Sequence, residues 1–125
     1  MNHQKIYESI IQKAKSENRV RLFKNQEGYV FYHNHHILPR CLCGGDEEKN
    51  MQLVTVKEHI ALHKLLTYIY PGHRGNACAY HLMAFSKKYD KYMSFRDYAY
   101  AKKLISLTPV SKETKEKQSK SMQGK

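Results

Sequence analysis

The sequence predicts an α+β fold, and three observations predict it. The run GYVFYHNHHIL (residues 28–38) is rich in aromatic and β-branched residues, which favour extended backbone. Apolar residues recur at helical spacing near the N-terminus and again along HIALHKLLTYIY. Between these lies a strand, loop, strand, helix order, with histidines at the end of the first strand and on the helix.

Residues 4–18 carry Ile6, Tyr7, Ile10, Ile11 and Ala14, an i, i+3, i+4, i+7 pattern that predicts an amphipathic helix. The polar stretch 19–27 connects it to the strand expected over 28–38, which Pro39 ends. Gly44-Gly45-Asp46 marks a turn in the loop PRCLCGGDEEKN. MQLVTV (51–56) is a second short strand. Thr55, with Glu58 three residues on, makes a capping box for a helix that stops at Pro71-Gly72. Helical patterns follow at 76–89 and 94–106, and Thr108-Pro109 breaks the second. The remainder is polar and Lys-rich and buries no core of its own. The expected division is therefore a domain over 1–107 and a basic tail over 108–125.

With 125 residues and a formal net charge of +11, the chain is expected to be one modest basic domain with a polyanion as partner. No apolar run is long enough for a spanning helix, and the N-terminus lacks the features of a signal peptide. Nucleic acid is thus the expected partner, with no membrane association, and the cytoplasm the expected compartment. Cys41, Cys43 and Cys78 do not form a disulfide framework, and the first two are too close to bridge without strain. They are read as structural or incidental.

His59 and His63 are spaced i, i+4 and project from one helix face, a recurrent metal-binding arrangement. On a strand, His35 and His36 point to opposite faces, so only one can join the helical pair. That geometry separates a metal ligand from a general base. A zinc finger on Cys41, Cys43, His59 and His63 fits less well, because one residue between the cysteines is shorter than such sites use, and His35 and His36 stay unexplained. A zincin needs Glu directly after the first helical histidine, where this chain has Ile60.

His35-His36-Ile37-x-Pro39, Gly44-Gly45, Asn50 and Glu58-His59-x3-His63 together resemble the HNH endonuclease signature over residues 29–66. The similarity is greatest to phage and intron homing endonucleases, and the second helical histidine resembles the nuclease colicins. The resemblance implies a ββα-metal core flanked by helices. It implies His36 as the general base and His35, His59 and His63 as metal ligands. Asn50 is implied to brace the loop and orient the base, or to bind metal as in some members. The implied cofactor is one divalent ion, Mg²⁺ or Mn²⁺ for activity, with Zn²⁺ or Ni²⁺ also suited to histidine ligands. The implied activity is nicking or cleavage of double-stranded DNA. Arg40 and Lys64, near the motif in sequence, are candidate phosphate contacts.

Many phage relatives have Glu two residues before the tandem histidines. This chain has His33 there, read as a surface residue; His73 and His81 are read as structural. The segment from Ser111 to Lys125 resembles the modular DNA-binding element of homing endonucleases, with Lys112, Lys115, Lys117 and Lys120 as candidate contacts. Relatives often continue past this point, so a truncated or short member is expected. The rival readings are a non-catalytic DNA-binding module, a colicin-like toxin or defence nuclease, and a structural zinc finger.

Overall fold

The computed structural model describes residues 2–108. Helix α1 (His3–Ser16) is followed by strand β1 (His33–His36) and strand β2 (Met51–Val54). Helices α2 (Val56–Ile69), α3 (Arg74–Ala84) and α4 (Phe95–Leu107) complete the order. The α+β class is observed, with the strand–strand–helix order in the expected place. No helix among the described residues is long and apolar enough to cross a membrane.

The strand expected over 28–38 is shorter than its composition suggests. The two strands pair antiparallel with His33 opposite Val54 and His36 opposite Met51. Thr55 leaves the sheet to cap α2, its hydroxyl accepting from the Glu58 amide while the Glu58 carboxylate accepts from the Thr55 amide. Residues 28–32 therefore have no ladder to join, whatever their propensity. The other boundary shifts have local causes. Helix α1 stops at Ser16 rather than 18, and Asn18 takes φ 48°. Helix α3 begins at Arg74 rather than 76 because the His73 side chain caps it, accepting from the Asn76 amide. It ends at Ala84, before a 3₁₀ segment at Lys87–Tyr92 that the Ser86 hydroxyl opens.

Helix α2 is shared by two apolar clusters. On one side Leu62 and Leu66 pack with Tyr7 and Ile11 of α1 and Val54 of β2. On the other, Ile60 packs with Tyr80, Met83 and Ala84 of α3, with Tyr89 of the 3₁₀ segment and with Ala101 of α4. At 3.6 residues per turn, the His59 and His63 stripe falls between these two faces. Arg19 ties the segment after α1 to this arrangement. Its guanidinium, almost wholly buried, donates to both carboxylate oxygens of Glu58 and to the Leu53 carbonyl.

Candidate functional site

Alternation along β1 buries His33 and His35 and leaves His36 partly exposed. His35, 1% exposed, meets His59 and His63 from α2, and one nitrogen from each of the three lies within 4.8 Å of the others. Nε2 of His59 and Nε2 of His63 stand 3.1 Å apart. Two imidazole nitrogens so close share either a proton or a cation.

The hydrogen bonds around His35 fix its tautomer. Tyr7 Oη donates its one proton to the Ile37 carbonyl at 2.7 Å, and lies 2.7 Å from His35 Nε2. His35 Nε2 must then be the donor to Tyr7, which leaves Nδ1 with a bare lone pair. That Nδ1 is buried and has no hydrogen-bond partner. A bare nitrogen beside two further imidazoles, with its other N–H held by an oxygen, is the donor set a divalent metal needs.

His33 corrects the surface reading made from sequence. It is buried, and its Nδ1 lies 2.9 Å from His59 Nδ1, with Tyr89 Oη at 3.4 Å. It holds the far nitrogen of His59 as Tyr7 holds that of His35, orienting the ring toward the cluster. Burial drives all three clustered imidazoles to stay neutral. Burial first, then the neighbouring imidazoles, lowers His35 to about 2 and His59 to about 3. Burial first, then His36, lowers His63 to about 4.

On the opposite face of β1, His36 Nε2 lies 2.8 Å from Asp46 Oδ1. A carboxylate accepts only, so Nε2 carries the proton and Nδ1 is free to receive one. His36 and then Arg40 hold the Asp46 carboxyl below its ordinary range. His36, Arg40, His59 and His63 line one cleft of about 260 Å³, and Cys41 and Gly75 form another part of its wall. A Cβ at Gly75 would stand 2.7 Å from the Cys41 Cβ, so the start of α3 closes on the loop here.

Aligned over 128 residues, the chain is 35% identical to "Probable mobile endonuclease E" of Enterobacteria phage T4, covering 97% of this chain and 84% of that protein. The chain belongs to the family of phage mobile endonucleases. It is also 34% identical over 102 residues to "Probable mobile endonuclease C" of the same phage, covering 82% of this chain and 44% of that protein. With "Probable mobile endonuclease D" it shares 36% over 70 residues, 56% of this chain and 26% of that one. No family model and no solved structure matches the chain.

In this mobile-endonuclease family member, Asn50 spends its whole side chain on the loop. Its Oδ1 accepts from the Leu38 amide, and its Nδ2 donates to the carbonyls of Leu38 and Gly45. Gly44 completes the closure, since a Cβ there would stand 1.7 Å from the Leu38 carbonyl oxygen. The brace carries Asp46 to His36. Asn50→Asp keeps the size but sets a carboxylate oxygen against two carbonyls. We expect it to lose about 1–3 kcal/mol in thermal or denaturant unfolding, as Asn50→Ala does. Equal stability of Asn50→Asp and the parent would remove the brace from the argument.

The other sequence candidates divide. Arg40 lies at the cleft, sharing Asp46 with His36. Lys64 is not brought to it. Its ammonium sits 2.9 Å from Asp97 and over the Tyr100 ring, facing α4. Lys112, Lys115, Lys117 and Lys120 lie outside the described residues. Sequence reasoning missed Tyr7, His33 and Asp46. Strand alternation offered the signal for His33, which shares a face with His35; Tyr7 and Asp46 are joined to the site only by tertiary closure.

Proposed function

We propose that this chain is a metal-dependent HNH endonuclease of the phage homing type, hydrolysing phosphodiester bonds of double-stranded DNA. The observation that carries the reading is the pairing of a three-imidazole cluster, His35 buried and His59 and His63 half-buried, with a partly exposed histidine held by a carboxylate on the strand's other face. The relatives' names, which describe mobile endonucleases, and the surplus of positive charge support the same substrate.

His36 Nδ1 takes the proton of the attacking water, and Asp46 stabilises the imidazolium that forms. The new bond joins the water oxygen to phosphorus and the bond to the 3′ oxygen breaks; that oxygen takes a proton from solvent, leaving 5′-phosphate and 3′-hydroxyl ends. Arg40, 70% exposed at its side chain, can turn from Asp46 to a phosphate oxygen. His35, His59 and His63 would hold one divalent ion, which supplies charge neutralisation at the scissile phosphate and the leaving oxygen. Tyr7 and His33 keep two of those rings in register for it. Asn50 fixes the loop that carries Asp46 and Arg40. The basic tail would add affinity for the DNA backbone.

The test is nicking or linearisation of a supercoiled plasmid with Mg²⁺, Mn²⁺, Zn²⁺ or Ni²⁺ restored after chelation, beside His63→Ala. We expect metal-dependent cleavage, and about a hundredfold or greater loss of metal affinity in His63→Ala. Binding of DNA without cleavage under every metal, or cleavage unaffected by chelator, overturns the reading.

A further inference from the structure

A second cleft of about 350 Å³ opens on the far side of His59. It shares Asn34 and His59 with the first, so the two clefts are neighbours across these residues. His36 lines only the first. Arg21, Lys88, Phe31 and Tyr89 line the second, and no carboxylate does. Among the described residues neither Arg21 nor Lys88 forms an ion pair. The Lys88 ammonium stands over the Tyr89 ring at 5.7 Å on the same wall. Phe31 is 50% exposed and stands edge-on to His33 at 5.0 Å, leaving much of its ring open.

Two cations without carboxylate partners beside a half-exposed aromatic ring suit the phosphate and sugar of a nucleotide. The nuclease reading, on which this inference rests, says which nucleotide. In an in-line displacement the attacking and leaving oxygens stand on opposite sides of phosphorus. Water is activated at His36, in the first cleft. A phosphate lying between His36 and His59 would set its leaving oxygen toward the second. We propose that this second cleft binds the nucleotide bearing the leaving 3′ oxygen, with Arg21 and Lys88 on its phosphate and Phe31 against its sugar.

The test measures binding of a short DNA duplex by fluorescence anisotropy in EDTA across a salt series, so that no cleavage intervenes. The variants are Arg21→Ala/Lys88→Ala, Phe31→Ala and, as a control of equal charge change, Lys13→Ala/Lys15→Ala at the end of α1. We expect the cleft pair to weaken binding about tenfold and to lower the slope of log Kd against log salt by about 1, for the one phosphate the two share. The control should change Kd less than about twofold, and Phe31→Ala should weaken binding about fivefold with the slope unchanged. Equal losses in the two double variants, or no loss in Phe31→Ala, overturn the cleft and leave the nuclease reading standing. At a mapped cleavage site, a methylphosphonate one step to the 5′ side should weaken the parent and not the cleft pair. Weakening both equally overturns the assignment to the leaving side. Loss specific to the cleft in a protein that cuts nothing overturns the nuclease reading instead, and the leaving-side assignment with it.

Discussion

Replacing His36 by alanine is expected to lower the rate of phosphodiester hydrolysis about a thousandfold, within the range a positioned general base contributes. The side chain is partly exposed, lines the cleft beside His59 and His63 and hydrogen-bonds Asp46 rather than the clustered imidazoles, so the fold and the metal ligands stay in place. Metal affinity and melting temperature should therefore match the parent, which separates loss of the base from loss of the site. Asp46→Asn should fall between the two in rate, because it weakens the hold on Nε2 without removing the base. Single-turnover cleavage, beside metal titration of each variant, reads both. A His36→Ala protein that cuts at the parental rate would move the proton-accepting role elsewhere in the cleft.

The second large effect is on stability in acid. His35, His59 and His63 stay neutral in the folded chain to about pH 2, 3 and 4, whereas the unfolded chain takes up protons on each near 6.5. Below 6.5 the unfolded state binds more protons, so stability falls as pH falls, and it is unaffected by these groups above that value. Each imidazole contributes up to about 1.4 kcal/mol per pH unit. Together they remove on the order of 4 kcal/mol by pH 5.5, a large share of the stability of a small domain. Urea unfolding of the chelated protein should show this loss between pH 7.5 and 5.5. At one hundred times its Kd, a divalent ion should restore about 2.7 kcal/mol near neutrality. It should restore less in acid, where protons compete for the same nitrogens. Identical urea midpoints at the two pH values would contradict the burial of the cluster.

Much of this architecture was legible because its signals are local. Thr55 and Glu58 announce the start of α2, Pro71-Gly72 its end, and the His59–His63 spacing its metal-facing stripe. The histidines were equally readable as the last part of β1, although Pro39 placed its end at 38 and the strand stops at His36. The beginning of β1 was not, because a strand's length is set by its partner, and that partner is cut short by the Thr55 cap. His33 was assigned to the surface although period-two alternation puts it beside His35. The tyrosine that fixes the His35 tautomer lies on another helix, and no pattern along the chain connects them. Asp46 looked like part of a turn, and only the closure by Gly44 and Asn50 turns it into a partner for His36.

Helix α2 touches an apolar cluster on each flank, carries two candidate ligands between them, and is anchored at its first turn by Arg19. Only Lys57 and Tyr68 along its length are exposed. Substitution has little room on such a helix, since nearly every position is already committed. Variation has to be drawn from the rim: the irregular stretch between Arg19 and β1 and the outer faces of α3 and α4. An engineer redirecting this chain would face the same division between a fixed axle and a replaceable tread.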